Sequence, residues 1–182
     1  NFYKDGWRVK SNGVELMLPS PENISNVIKK FGIKENDFVI LYTKNSEFAV
    51  AETTAIYFSF KYLGHKNISI LDGGFKEFKN QYPLLIDEGK YTVKSTEEYN
   101  FKINETILAN SEEVINNFKN NQPVIDSRET DFFLGINKLK NFETFGTIKQ
   151  SISIPSKWFL KERGLKFNDK NKIKMISEYS GI

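Results

Sequence analysis

Three consecutive segments of this 182-residue chain predict an α/β layered fold with a mostly parallel central sheet flanked by helices. Phe38-Val39-Ile40-Leu41-Tyr42 is a continuous apolar run of strand length, the pattern of a strand covered on both faces. From Glu47 to Leu63 the residues are apolar nearly all round, which marks a helix buried between layers. Ile68-Ser69-Ile70-Leu71 is a second short buried strand. A strand–helix–strand order with short connections implies parallel pairing through a right-handed crossover.

The other elements are read in chain order. Residues 1–19 are irregular, since Gly6, Gly13 and Pro19 interrupt any period. Ser20-Pro21-Glu22 starts a helix with a hydroxyl cap, a proline at the first helical position and an acid in the first turn. Ile24, Val27, Ile28 and Phe31 recur at helical spacing, and Gly32 supplies the stop. After the second strand, Asp72 is placed to cap a helix that follows Gly73-Gly74 and carries Phe75 and Phe78. The charged stretch from Pro83 to Asn104 has no strong period and reads as a linker with one strand at Tyr91-Thr92-Val93.

A second unit opens near Ile107. Asn110-Ser111-Glu112-Glu113 resembles a capping box, with Val114, Ile115 and Phe118 on one face of the helix behind it. Pro123-Val124-Ile125-Asp126-Ser127-Arg128 is a strand ending in a polar turn, and Ser151-Ile152-Ser153-Ile154-Pro155 is the next strand. Trp158, Phe159 and Leu160 suggest a short amphipathic turn. A last helix holds Ile173, Met175 and Ile176, with Gly181 as its cap. The expected organisation is therefore a unit over 1–82, a linker over 83–105 and a unit over 106–182.

Composition narrows the chemistry. Sixteen Phe and eight Tyr against two Met and two Trp give the core to aromatic packing, and their helix and strand spacing excludes a nucleic-acid stacking platform. The net charge of +3 is spread without a run of basics, which argues against a polyanion-binding surface. The chain has no cysteine, so disulfides, thiolate metal sites and cysteine nucleophiles are absent from it. One histidine, His65, with no metal-ligand spacing around it, gives no metal site; it reads as a cap on the preceding helix. No apolar stretch approaches the roughly 20 residues that cross a bilayer. A soluble protein of the cytoplasm or periplasm is expected, the compartment staying open. The first residue is Asn1 rather than Met, from which a processed, trimmed or excised chain is expected.

Residues 18–78 resemble the second half of a rhodanese-type sulfurtransferase module. The resemblance is carried by Leu18-Pro19-Ser20-Pro21-Glu22, Val39-Ile40-Leu41-Tyr42, the apolar helix, Gly64-His65 and Leu71-Asp72-Gly73-Gly74-Phe75. Residues 106–180 are similar to the first half of a following module, through Val124-Ile125-Asp126-Ser127-Arg128, Phe133-Leu134-Gly135 and Gly146 to Pro155. The family transfers a sulfane sulfur from thiosulfate or mercaptopyruvate to a thiol or other thiophile through a cysteine persulfide. That persulfide sits in a cradle of backbone N–H groups at a helix N-terminus, which favours the anion. The corresponding loop here is Thr43-Lys44-Asn45-Ser46-Glu47, with threonine where the family has cysteine. The resemblance thus implies a silent module, no cofactor, and a working cysteine downstream of Ile182, a Tyr-Cys-Gly-type loop within about 20 residues being its signature. Two departures stand out: Phe132 occupies the place of a substrate-binding arginine, and the family's Gly-His-Ile-Pro-Gly-Ala motif keeps only Gly146 and Ile148.

Arg128 is the candidate substrate-binding residue, facing a small anionic donor; the competing reading pairs it with Asp126 to pin the strand end. Lys44, Asn45 and Ser46 suit either an anion nest or an ordinary polar loop. The functional alternatives are a part of a multi-module sulfurtransferase and a non-catalytic rhodanese-like module that binds a partner or anion. Two half-modules would expose sheet edges, so packing of the halves as a pseudo-permuted module, or a homodimer, is expected.

Overall fold

The computed structural model describes residues 2–43, 47–89, 91–140, 143–161 and 165–181, with the backbone alone at 47–49. It divides into two compact units, Asn1–Leu108 and Ala109–Ile182. Among the described residues no helix is long and apolar enough to cross a membrane.

The first unit begins with a hairpin that the sequence reading leaves irregular. Strands β1 (Val9–Ser11) and β2 (Val14–Met17) pair antiparallel around Asn12-Gly13. Both turn residues have positive φ, 50° and 80°, as a two-residue primed turn requires. Helix α1 (Pro21–Lys30) is capped by the Ser20 hydroxyl accepting from the Asn23 N–H at 3.3 Å, as its Ser-Pro-Glu start foretells. Its buried Ile24, Val27 and Ile28 meet Trp7, Phe60, Leu63 and Tyr99 in the core. Trp7 stacks on Phe31 at 6.3 Å and tilts against Phe60 at 5.6 Å, so aromatic rings do carry this packing.

Strands β3 (Val39–Leu41) and β4 (Ile68–Ile70) pair in parallel, Val39 opposite Ile68 and Leu41 opposite Ile70. The crossover is α2 (Glu47–Tyr62). One face of the pair is buried through Val39 and Ile68. The other face differs from expectation: Phe38, Ile40 and Tyr42 are 68%, 53% and 58% exposed. An apolar run reads the same whether one or two layers cover it. Helix α3 (Gly74–Gln81) follows, and its cap position falls to Gly73 with no side-chain cap bond, not to Asp72.

The linker expected over 83–105 is corrected. Its described residues are irregular apart from a 3-10 turn at Pro83–Leu85 and the start of another at Glu105–Ile107, and Tyr91–Val93 forms no strand. Its second part, however, is a strap sewn onto the first unit. Thr96 N–H donates to the Lys29 carbonyl at 3.0 Å, Lys102 N–H to Leu63 at 3.3 Å and Asn104 N–H to Tyr62 at 2.8 Å. Tyr99 is buried between them. Backbone pairing of this kind is invisible to side-chain periodicity.

The second unit contains α4 (Ser111–Lys119), β5 (Ile125–Asp126), α5 (Thr130–Phe133), β6 (Ile152–Ser153) and α6 (Lys170–Ser180). The capping box forms as read: the Asn110 side chain accepts from Glu113 N–H at 3.0 Å, and Asn110 N–H donates back to Glu113 at 2.7 Å. Strands β5 and β6 pair in parallel, Asp126 opposite Ser153. Gly181 ends α6 in the left-handed conformation, φ 71°. The mostly parallel sheet is thus realised as one parallel pair in each unit. The short α5 has no counterpart in the sequence reading, since four residues are too few to show a helical period.

Candidate functional site

Thr43 lies two residues beyond the end of β3 and four before the start of α2, where a strand hands over to a helix. It is buried, 6% exposed. The turn after β4 closes over it: Leu71 N–H donates to the Leu41 carbonyl at 2.8 Å and Phe75 N–H to the Thr43 carbonyl at 2.9 Å. Gly74 is required at this contact. A Cβ there would lie 2.5 Å from Thr43 Oγ1, and its φ of +64° is strained for other residues. Tyr42 and Phe75 stack beside it at 5.8 Å. The Asp-Gly-Gly-Phe run therefore serves to bring a second backbone against Thr43.

Lys44, Asn45 and Ser46 lie outside the described residues, and Glu47 is described only as the first residue of α2. The chemistry available at Thr43 is that of a neutral hydroxyl. Such a group is a weak nucleophile without an adjacent base, and it offers no thiolate to hold a sulfane sulfur.

In the second unit Arg128 is engaged by its own strand. Its Nε and Nη2 donate to the Asp126 carboxylate at 3.0 and 2.6 Å, and Nη2 also donates to the Gly146 carbonyl at 2.8 Å. Asp126 further accepts from Arg128 N–H at 3.0 Å and from the Thr147 hydroxyl at 2.6 Å, with Ser151 beyond Thr147 at 2.8 Å. The Arg128 hydrogen bonds hold the Asp126 carboxyl well below the usual carboxylate range; burial opposes this and Thr147 adds to it. Asp126 in turn raises the guanidinium. The Asp126 side chain is 9% exposed and that of Arg128 is 47% exposed, so the pair is a pinned turn with a solvent-facing cation. Thr147 and Ser151 escape the sequence reading as members of this network. Their signal was the hydroxyls within the Gly146–Pro155 stretch, which lies 18 or more residues from Arg128.

His65 is brought to neither place. It is 2% exposed, with Nε2 3.0 Å from the Asp37 carbonyl and Nδ1 2.8 Å from the Tyr99 hydroxyl. A carbonyl only accepts, so Nε2 carries the proton and Nδ1 accepts from Tyr99. The helix-capping role expected of the imidazole falls to the His65 backbone N–H, which donates to Phe60 at 3.0 Å. Among the described residues no group of three or more histidines and carboxylates is placed to hold a metal ion.

Comparison with known proteins bears on the same region. The rhodanese-like domain family matches residues 9–81, from the hairpin to the end of α3. The thiosulfate sulfurtransferase of Gallus gallus is 26% identical over 159 residues, 86% of this chain and 53% of that protein. The 3-mercaptopyruvate sulfurtransferase of Mus musculus is 26% identical over 151 residues, 82% of this chain and 50% of that protein. The chain thus spans about half the length of the curated relatives it matches. In fold it is similar to SseA from Escherichia coli, with a TM-score of 0.76 at 19% identity, covering 98% of this chain and 64% of that one. It is similar also to the anaerobic ergothioneine biosynthesis enzyme from Chlorobium limicola, with a TM-score of 0.77 at 16% identity over 91% of this chain and 44% of that one. The hairpin, the crossover and the Gly74 turn all lie inside the matched segment, so residues 9–81 carry a rhodanese-like domain.

Proposed function

We propose that this chain is a part of a thiosulfate- or 3-mercaptopyruvate-type sulfurtransferase that moves sulfane sulfur through a cysteine persulfide, the cysteine lying outside these 182 residues. The observation that carries the reading is Thr43: it sits at the strand-to-helix handover of the matched domain, and the chain has no cysteine. Homologues that are thiosulfate and 3-mercaptopyruvate sulfurtransferases support the reaction class. The donor would be a small sulfur-bearing anion and the acceptor a thiol. In the persulfide step a thiolate attacks the sulfane sulfur of thiosulfate or the sulfur of 3-mercaptopyruvate. The donor's S–S or C–S bond breaks as the new S–S bond forms, and sulfite, or the enolate of pyruvate, leaves with the electron pair, the enolate then taking up a proton. Threonine supports neither half of that exchange. Arg128 would offer its exposed guanidinium edge to the anion while Asp126 holds it in place.

A second reading, a non-catalytic rhodanese-like binding module, is favoured by the closure of Gly74 and Phe75 over Thr43. One experiment separates the two. The protein is isolated from its source and its intact mass measured, alongside thiosulfate:cyanide transfer by the 182-residue chain. The 182-residue chain is expected at background, with no gain of a sulfur atom in its mass; measurable turnover would overturn the assignment of Thr43. A cysteine-bearing, active parent protein supports the enzyme reading, and an inactive one the binding reading.

A further inference from the structure

Strands β1 and β2 are three and four residues long and mostly exposed, with an irregular register between Val9 and Ser11. Leu16, inside β2, has a φ of 65°, a left-handed conformation that a bulky residue adopts only at a cost. A two-stranded hairpin of this kind is marginal by itself and opens locally far more often than the core beneath it. Its tip is Asn12-Gly13, and both residues are exposed. Nothing lies within 4 Å of the place a Cβ on Gly13 would take. Among the described residues neither the Asn12 side chain nor the Gly13 N–H has a hydrogen-bond partner.

An asparagine followed by glycine sets an amide electrophile beside an unhindered backbone nitrogen. Joining the two requires rotation about the Asn12 Cα–C bond, which the closed turn opposes and the open hairpin permits. Comparable pairs elsewhere in the chain are protected. Asp5-Gly6 and Asp72-Gly73 lack the amide leaving group; Gly6 N–H donates to the Tyr3 carbonyl at 3.3 Å, and Gly73 is buried. In Asn110-Ser111 the asparagine side chain is locked in the capping box.

We propose that Asn12 is a site of spontaneous deamidation, and that its isoaspartate product releases the hairpin. The Gly13 nitrogen, its proton lost to solvent base, attacks Asn12 Cγ. The new C–N bond closes a succinimide ring, and the side-chain nitrogen leaves as ammonia with the bonding pair and a proton from water. Water then cleaves one of the two ring C–N bonds. Opening at Cγ gives aspartate on an unchanged backbone; opening at the main-chain carbonyl gives isoaspartate, in which the backbone runs through Cβ. An extra backbone carbon does not fit a two-residue turn, so the Ser11–Val14 pairing and the Lys10–Glu15 ion pair at 2.8 Å are lost. The change stops at Trp7 and Pro19, which are buried on either side of the hairpin.

The test is incubation of the 182-residue protein in mildly alkaline buffer, native and in denaturant, with peptide mapping by mass spectrometry at intervals. In the native protein Asn12 should convert at least about tenfold faster than Asn110, and within about tenfold of its own rate in denaturant. Asn12→Gly, which suits the left-handed turn position, should abolish conversion there. Amide exchange in the aged protein should rise at Lys10, Ser11 and Val14 and stay unchanged in α1 and α2, and the aged Asn12→Gly protein should show no such rise. An Asn12 that stays intact while the unfolded chain is converted, or that converts no faster than Asn110, would overturn the site. Isoaspartate that leaves exchange at Ser11 and Val14 unchanged would overturn its effect on the hairpin.

Discussion

In Asn1–Leu108 the side chains of Trp7, Ile24, Val27, Ile28, Val39, Phe60, Leu63, Ile68 and Tyr99 are buried as one cluster. Among the described residues of Ala109–Ile182, the buried hydrophobic side chains besides Pro155 are Ile154 and Ile176. Both units contain the same motif, a pair of parallel strands. The first wraps its pair with α1, α2 and a strap; in the second, backbone bonds join the pair and the Asp126 carboxylate pins the end of β5 to Arg128 and Thr147. Packing distributes stability over many contacts, whereas a pinned turn concentrates it in a few charged ones. The difference shows how one fold family can hold a strand end either by shape or by charge.

The largest expected effect breaks the comparison at its packed side. Phe60→Ala should cost about 3–5 kcal/mol, because the ring is 1% exposed and its neighbours Trp7 and Ile28 cannot collapse into the space. Ile176→Ala in the second unit should cost about 2 kcal/mol, with fewer buried neighbours to lose. Denaturant unfolding of the two variants, with amide exchange read for each unit, measures the contrast. Equal losses would mean that the second unit is packed as well as the first.

A smaller effect probes the charged side. Asp126→Asn keeps the shape but removes the charge that Arg128 and Thr147 address, and should cost about 1–3 kcal/mol, confined to the second unit. The pH dependence has a definite sign. The Asp126 pKa is depressed on folding, so its contribution is present above the unfolded value of about 4 and is lost as pH falls toward the folded value. Acid should therefore loosen the second unit in the native protein, and this part of the acid response should vanish in Asp126→Asn. Amide exchange at Ile125–Arg128 between neutral and strongly acid pH checks it.

The smallest effect lies at the other end of the scale. Burial, with a lesser contribution from the Glu35 charge, has pushed Tyr99 up to about 12. A raised folded pKa means that the strap's contribution is complete below the unfolded tyrosine value of about 10 and is lost between there and the folded value. Tyrosinate absorbance should show one late-titrating ring, which disappears in Tyr99→Phe. That variant should also leave His65 Nδ1 without its donor, at a cost of about 1 kcal/mol.

Much of this molecule is legible without coordinates where the governing interaction is local. Ser20-Pro21-Glu22 and Asn110 to Glu113 declare their helices because cap and first turn lie within three residues. The hairpin was legible too: Asn12-Gly13 between Val9 and Val14 is a turn signal, obscured by reading Gly13 only as a breaker. The position of Thr43 follows from the order of β3, α2 and β4. The strap and the Asp126 network were not legible, since Tyr99 meets His65 across 34 residues and Thr147 meets Asp126 across 21.

The sequence by itself determined the element order, the parallel sense of β3 and β4, the caps, and the absence of any thiol with which to carry sulfur. Periodicity, capping and composition act within a few residues, and so they survive reading along one dimension. Only the tertiary structure decided that residues 91–104 bind the first unit and that Arg128 is held by Asp126 and Gly146. Those outcomes depend on which distant backbone donors and charges come within about 3 Å once the core has closed, a distance along which sequence spacing carries no information.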